Sequence, residues 1–282
     1  MNKLLPLFVI LLITWTVPLI AKPVKINMVF VPASEKGDEK DYVNLIEIVN
    51  KLTGYEITPI RVTDYNAAVE SMRADRAQIA WFGGKTYIMA AKIANAEAFA
   101  AGVRKGDTDA TYNTYFVVRT DSAYKTLPDL KGKLLALNSI GSTSGDLIPR
   151  VELQKIGLST ARDFKRVFYA GSHDACMMSI RNKHADVCGV SSRNFDARLK
   201  DQTFKKDDFR IIHVSSPVPP PPLAYSTKLP EQVRNKIRAA VLEAHKHGKI
   251  GGYGGEMARY IPVTDSDYDL LREVETLLDA RK

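Results

Sequence analysis

Cysteine is scarce in this chain. Among its 282 residues only Cys176 and Cys188 carry thiols. Small secreted proteins that rely on disulfides have many more cysteines for their length, so disulfides are not what holds this fold together. In an oxidising compartment the two thiols can form one bridge, or they can stay buried and free. The sequence leaves both interpretations open.

Long apolar runs are also absent, with one exception at the N-terminus. A basic start, residues 1–3, precedes a nearly unbroken apolar run over residues 4–20, and the small Ala21 follows. This order predicts a secretory signal peptide of residues 1–21. A membrane anchor is the alternative, because the run is about long enough to span a bilayer, but Pro18 near its end favours cleavage. Since no cysteine ends the run, we expect no lipid anchor and a soluble protein of the periplasm.

Motifs of several enzyme and nucleic-acid-binding classes are missing. The full phosphate loop G-x-x-x-x-G-K-[ST] does not occur. Gly141–Gly145 has Thr143 where a nucleophile elbow needs serine. His245 and His247 are two residues apart and do not share a helix face, so we expect no metal site there. We therefore expect neither an enzyme nor a cofactor.

The charge balance is basic, with a formal net charge of +8. No arginine-rich stripe or nucleic-acid motif accompanies it, so we expect no nucleic-acid partner. A basic surface attracts anions in general, and the charge therefore favours an anionic ligand.

Short β-rich runs alternate with helical runs along the chain. One series of strands and helices occupies residues 24–94, and a second occupies residues 112–215. This alternation predicts an α/β fold of parallel sheets covered by helices. The strand and two helices that follow residue 222 are too few for a third core.

Proline-rich residues 217–222 separate the second series from the C-terminal elements. Such a stretch is extended and stiff, as in a linker or a hinge that returns to the first lobe. We therefore predict lobe 1 from residues 22–116 plus 218–282 and lobe 2 from residues 117–217. Two segments would cross between the lobes, and the lobes would close on a ligand like a hinge.

The strongest local signal is Ser142, Thr143 and Ser144, flanked by Gly141 and Gly145. These hydroxyls follow a predicted strand and open a predicted helix. A helix N-terminus has free N–H donors and partial positive charge, which suits an oxyanion. The alternative is an ordinary helix cap, for which one hydroxyl is sufficient.

Three further strand-to-helix turns have a similar design. Ser172 and His173 open one helix, and a protonated His173 would bind an anion more strongly. Phe82, Gly83 and Gly84 form a turn that lets backbone approach a ligand, followed by Lys85, which can equally be a solvated charge. The fourth turn contains Asp64, a candidate cap, and Tyr65. Since ligands of α/β sheets bind at the carboxyl ends of strands, the shared placement of the four turns predicts one site between the lobes.

These turns resemble the phosphonate- and phosphite-binding proteins of ABC importers, which have the type II periplasmic binding fold. The resemblance spans nearly the whole mature chain. The stretches that carry it are TDYNAAVESM (63–72), WFGGKTYIMA (81–90), LPDLKGK (127–133), STSGDLIPR (142–150), DFKRVFYAGSHDA (163–175) and HADVCGV (184–190).

The resemblance implies a monomeric receptor that presents a small oxyanion to an ABC permease in the inner membrane. Ser142, Thr143, Ser144 and His173 would hold the phosphonyl group from lobe 2. Tyr65 and the turn of Phe82, Gly83 and Gly84 would close on it from lobe 1.

This sequence departs from relatives that bind aminoalkylphosphonates through acidic side chains. The turn after residue 190 reads Ser191-Ser192-Arg193 and has no carboxylate. An ammonium would be left unpaired there at a desolvation cost, so we expect phosphite, phosphate or a short alkylphosphonate. Acids from the first loop, Glu35 or Asp38, are the alternative.

A related branch of the family contains periplasmic arsenite sensors, which gives a second functional hypothesis. In that case the protein would present a ligand to a histidine kinase, and soft thiolates would suit arsenite. Cys176 and Cys188 are therefore further candidates for the site, as are Ser191 and Ser192.

Overall fold

The computed structural model describes residues 24–35 and 37–279. The predicted signal peptide, residues 1–21, lies outside the described residues. Within the described part of the chain, no helix is both long and apolar enough to cross a bilayer.

Seven strands form the larger of two sheets. In sheet order they are β11 (Ile250–Gly252), β12 (Gly255–Pro262), β4 (Ala96–Arg104), β10 (Pro222–Ser226), β3 (Ile79–Trp81), β1 (Lys25–Phe30) and β2 (Glu56–Arg61). β1 runs parallel to β2 and β3 on either side of it. β10 is antiparallel to β3 and β4, and β12 is antiparallel to β4 and β11. The sheet is therefore mixed.

Five strands form the second sheet. In sheet order they are β7 (Arg166–Tyr169), β6 (Leu134–Leu137), β8 (Val187–Ser191), β5 (Thr114–Arg119) and β9 (Phe209–Val214). β6 is parallel to β7 and β8, whereas β5 is antiparallel to β8 and β9.

Eight α-helices accompany the described strands. They are α1 (Val43–Thr53), α2 (Tyr65–Arg73), α3 (Gly84–Ile93), α4 (Ile148–Lys155), α5 (His173–Arg181), α6 (Ser192–Lys200), α7 (Glu231–Glu243) and α8 (Asp269–Asp279). A π-helical turn, Thr143–Leu147, leads directly into α4 and is called the π-turn below. Short 3₁₀ turns complete the chain at 38–42, 127–130, 206–208, 244–246 and 265–268.

The predicted α/β class is confirmed, but the prediction of purely parallel sheets is wrong. It missed β4, β11 and β12, and it could not tell that β5 and β10 are antiparallel. β4 reads AEAFAAGVR, and alanine has a weak preference for strands. β11 and β12 contain or adjoin a run of glycines, which is more typical of a turn.

The chain passes twice between the two sheets, once from β4 to β5 and once from β9 to β10. The crossing segments pair with each other through Tyr112 and Val218. The Val218 N–H donates to the Tyr112 carbonyl at 2.7 Å. We call the seven-stranded sheet and its helices lobe 1 and the five-stranded sheet and its helices lobe 2. The exact boundaries between lobes stay a prediction.

The two lobes also contact each other directly. Leu147 and Ile148, from the π-turn and α4 of lobe 2, belong to the same buried apolar cluster as Tyr268 and Leu271 of lobe 1. Burial of these side chains gives an apolar contribution to closure.

Close approach of β8 to α4 requires a glycine at position 189. A Cβ atom there would lie 2.3 Å from Cγ of Pro149 and 3.4 Å from the carbonyl oxygen of Ser144. The missing side chain lets the start of α4 sit directly on the strand.

We expect Gly189→Ala to destabilise the protein by about 1–3 kcal/mol because the new methyl group forces the helix away from the strand. Urea unfolding followed by circular dichroism measures this. Gly248→Ala is the control, since its Cβ would lie 3.3 Å from the tip of the Ile48 side chain. Equal stability of the two variants would contradict the packing described.

Candidate ligand-binding site

A small cavity of about 20 Å³ lies where the two lobes meet. A cavity needs about 10–15 Å³ to hold one water molecule, so this one holds one or two water-sized groups in the closed arrangement. Its lining contains no Asp, Glu, Lys or Arg side chain. The lining residues are Val31, Ala33, Tyr65, Trp81, Gly83, Tyr112, Ser142, Thr143, Ser144, His173, Pro221 and Tyr253.

Four helical N-termini converge on this cavity. Asp64 caps α2 by accepting the N–H of Ala67 at 2.9 Å, as predicted. Gly83 precedes α3, Ser142 precedes the π-turn, and Ser172 caps α5. Each terminus presents free N–H groups and partial positive charge, so the cavity attracts an anion although its lining has no cation.

The π-turn arranges the three hydroxyls of lobe 2. The Ser142 side chain accepts the N–H of Gly145 at 3.0 Å, and the Leu147 N–H donates to the Ser142 carbonyl at 3.1 Å. The N–H groups of Thr143 and Ser144 lie at the start of the π-turn, where a helix offers them no acceptor, and remain available. Ser142 is therefore the cap, while Thr143 and Ser144 offer both hydroxyls and amides.

Buried tyrosines form much of the wall. The Tyr65 hydroxyl accepts a hydrogen bond from the Asn138 side chain at 3.3 Å, which links lobe 1 to lobe 2. Burial raises the pKa of Tyr112 to about 12, and the Ser144 and Thr143 side chains lie close enough to hydrogen-bond to its hydroxyl. These phenols stay protonated at neutral pH and can donate to an anion.

His173 lies at the start of α5 with 2% of its surface exposed. Its Nδ1 accepts the Ser191 N–H at 3.4 Å, so the neutral ring carries its proton on Nε2. Nε2 lies 3.4 Å from the Ser144 hydroxyl at the cavity. Burial lowers the pKa of His173 to about 3. Burial therefore favours the neutral form of His173 in this structure, and the ring donates as a neutral imidazole.

Lys85 and Thr86 tie lobe 1 to lobe 2 beside the cavity. The Lys85 backbone N–H donates to the Thr143 hydroxyl at 2.9 Å, and its ammonium lies 2.7 Å from the Asp146 carboxylate. The Thr86 hydroxyl donates to the Gly141 carbonyl at 2.8 Å. Lys85 is thus an inter-lobe ion-pair partner rather than a solvated charge.

The opposite rim of the cavity has its own inter-lobe bonds. The His173 N–H donates to the Ala33 carbonyl at 3.0 Å, and the Glu35 N–H donates to the Asp174 carboxylate at 3.0 Å. The site is therefore held closed from two sides.

The structure brings six of the twelve candidate residues to the lining. They are Tyr65, Gly83, Ser142, Thr143, Ser144 and His173. Phe82 and Gly84 lie behind the lining: Phe82 is in the lobe 1 core, and a Cβ on Gly84 would meet Leu271 at 2.4 Å.

The remaining four candidates lie in lobe 2 behind the lining. Ser191 reaches the site through the N–H that it donates to His173 and through its side chain, which lies near the Tyr253 hydroxyl. The Ser192 hydroxyl accepts the Asn113 N–H at 3.1 Å. Cys176 and Cys188 are free, fully buried thiols of the apolar core. Burial raises the pKa of Cys176 well above its usual value, which makes it a poor soft-metal ligand.

Sequence reasoning missed three aromatic lining residues, Trp81, Tyr112 and Tyr253. Trp81 packs on Tyr253 with ring centroids 4.8 Å apart. Tyr112 lies on a crossing segment, and Tyr253 lies in the glycine-rich turn between β11 and β12. Tyr112 carried a signal through the hinge prediction, and Trp81 carried one through its place directly before the predicted turn of Phe82, Gly83 and Gly84, whereas Tyr253 carried none.

The acids of the first loop do not line the small cavity. Glu35 and Asp38 line a separate cavity of about 350 Å³, which Ser172 also borders. One oxygen of Asp38 accepts the N–H groups of Ala33 and Ser34 at 2.8 and 3.0 Å. Burial raises the pKa of Asp38 to about 7.

Comparison with known proteins decides the family. Residues 28–268 match the family of the ABC transporter, phosphonate, periplasmic substrate-binding protein. The chain belongs to this family. It is therefore a binding protein of the periplasmic type and not an enzyme, as expected.

Two relatives and one solved structure illustrate the similarity. The phosphonates-binding periplasmic protein of Escherichia coli is 27% identical over 72% of this chain, and the match covers 61% of that protein's length. A phosphate-import protein of Mycolicibacterium smegmatis is 26% identical, with 89% of this chain and 85% of the relative covered. A Prochlorococcus marinus protein solved in complex with methylphosphonate superposes with a TM-score of 0.79 at 20% identity, covering 92% of this chain and 99% of that one. The predicted type II periplasmic binding fold is thereby confirmed.

The neutral state of His173 predicts a pH-dependent stability. The unfolded state binds a proton near pH 6.5 and the folded state only near pH 3, so the stability that His173 contributes is lost as pH falls from about 6.5. From pH 7 to pH 5 the wild type should lose about 2 kcal/mol more free energy of unfolding than His173→Gln. Urea unfolding at both pH values measures the difference. The raised pKa of Asp38 has the opposite effect on stability, but both proteins contain Asp38, so this effect cancels in the comparison. An identical pH dependence of the two proteins would show that His173 is not buried as a neutral ring.

Proposed function

We propose that this protein captures phosphite, phosphate or a short alkylphosphonate between its lobes and delivers it to an ABC permease. The observation that carries the proposal is the convergence of four helical N-termini and several hydroxyls on one small cavity with no carboxylate in its lining. Such a site donates hydrogen bonds and stabilises negative charge, as the binding of an oxyanion requires.

Each lining residue has a role in this proposal. The hydroxyls and amides of Thr143 and Ser144 donate to the phosphonyl oxygens, and His173 donates from Nε2. Tyr65 donates from lobe 1, and Gly83 lets the start of α3 approach the ligand. Ser142 acts mainly on the π-turn, because its hydroxyl already accepts the Gly145 N–H.

The size and chemistry of the cavity favour a ligand without an amine. A volume of about 20 Å³ leaves little room for a long substituent, and the lining offers no acid to an ammonium group. The relatives named above are described as binding phosphonates, importing phosphate or holding methylphosphonate. Those names support a phosphorus oxyanion as the class of ligand.

Transport would follow from closure. An anion that contacts both lobes stabilises the closed arrangement, and a permease that recognises the closed form receives only loaded protein. This role places a monomeric mature protein in the periplasm after removal of residues 1–21.

Isothermal titration of the mature protein, freed of bound ligand, tests the proposal. The titrants are phosphite, phosphate, methylphosphonate, 2-aminoethylphosphonate and arsenite. Tight binding of any of the first three, with weak binding of the last two, supports it. Preference for 2-aminoethylphosphonate would assign Glu35 or Asp38 to the ligand, and preference for arsenite would favour the sensor hypothesis.

Ser144→Ala should weaken oxyanion binding roughly ten- to a hundredfold, because one hydrogen bond to a charged ligand is lost. The same titration measures it. Ser179→Ala is the matched control, since the Ser179 hydroxyl donates to the Ala175 carbonyl within α5. If both variants bind like the wild type, the assignment of Ser144 to the ligand is wrong.

Lys85→Met should weaken binding about tenfold without touching the ligand, because it leaves the buried Asp146 without its partner from lobe 1. Asp146 keeps its bond to Arg150 at 2.6 Å, so folding should survive. Lys92→Met on the exposed end of α3 is the control. Unchanged affinity of Lys85→Met would mean that the ion pair does not contribute to closure.

A further inference from the structure

Several buried or half-buried cations of the two lobes are neutralised by carboxylates. Each of three such cations lies within 3.1 Å of an acid, so its field is largely cancelled. The pairs are Lys85 with Asp146, Arg104 with Asp196, and Arg198 with Asp174.

Arg193 is different. It lies in the first turn of α6 with 2% of its surface exposed, and no described carboxylate lies within hydrogen-bond distance of it. Both terminal nitrogens donate to the Gly102 carbonyl at 3.2 Å, and Nη2 also donates to the Ala110 carbonyl at 2.8 Å. Its Nε has no partner among the described residues.

The bonds of Arg193 span the lobes at the crossing. Gly102 belongs to β4 of lobe 1, and Ala110 lies on the segment that leads to Tyr112 and β5. A Cβ on Gly254 would lie 2.8 Å from Cβ of Arg193, so the turn after β11 also packs against this residue. The guanidinium is therefore fixed in position.

Arg193 lies behind the wall of the cavity. Ala110, whose carbonyl accepts its Nη2, lies two residues before the lining residue Tyr112, and Gly254, which packs against its Cβ, directly follows the lining residue Tyr253. Two residues before Arg193, Ser191 donates to His173. The other charged or titratable groups around the guanidinium are Arg104, Asp107, Asp109 and Tyr42, and none of these carboxylates forms an ion pair with it.

A buried charge without a paired acid is costly for folding. A bound anion lacks a counter-charge in the neutral lining. When the ligand binds, the buried guanidinium and the bound anion stabilise each other, since opposite charges attract strongly in the protein interior.

We propose that Arg193 is the counter-charge of the bound oxyanion and selects for ligand charge without touching the ligand. This inference rests on the proposed function. Arg193 would be a positioning and affinity-determining residue that makes the site prefer a dianion over a monoanion. Hydrogen-bond donors of the lining would recognise the shape of the ligand, while Arg193 would respond to its charge.

Titration with methylphosphonate at one pH below and one pH above its second ionisation tests the proposal. The wild type should bind the dianion more tightly. In Arg193→Gln, binding should weaken and the ratio of dianion to monoanion affinity should fall about tenfold, the size expected for one unit charge at interior dielectric. Arg193→Lys keeps the charge and should keep most of the ratio.

A merely structural role would weaken both ionisation states equally, so an unchanged ratio in Arg193→Gln overturns the proposal. If that variant does not fold, Arg193→Met, an apolar residue of similar length, gives the same comparison. Failure of the proposed function is distinguishable, because then the wild type itself binds no oxyanion at either pH.

Discussion

An oxyanion that leaves water must recover its hydration energy from the protein, and this constraint shapes the centre of the molecule. The cavity supplies hydroxyls, free amides and a neutral imidazole, all of which donate. Side chains of single elements could not surround a ligand in this way. The strands of two sheets end at a common point, so four helices begin there and direct their positive termini at one small volume.

Ligand recognition and lobe closure depend on two different kinds of contact. The lining is uncharged, whereas the ion pair of Lys85 and Asp146 and the apolar cluster that contains Leu147 and Leu271 lie outside it. Contacts beside a site can stabilise the closed state without competing for the ligand. Such contacts set how much binding energy is available for distinguishing one ligand from another. Arg193 fits this division, since it contributes charge from behind the lining.

Much of the site was predictable because turn chemistry is local. Asp64 caps α2, and Ser142, Thr143, Ser144, His173 and Tyr65 were recognised from their positions after strands. What depends on tertiary structure was not predictable. The alanine-rich β4 gains its strand conformation from its neighbours in the sheet. The neutral state of His173 follows from burial, and Tyr253 reaches the cavity from a strand pair far along the chain.

The central claim is that a phosphorus oxyanion binds in the cavity between the two lobes. A crystal structure of the mature protein grown with methylphosphonate tests this most directly. The account predicts tetrahedral density within hydrogen-bond distance of the Ser144 hydroxyl and of His173 Nε2, with the lobes in contact through Lys85 and Asp146. Density only in the larger cavity beside Asp38, or none between the lobes, would contradict it.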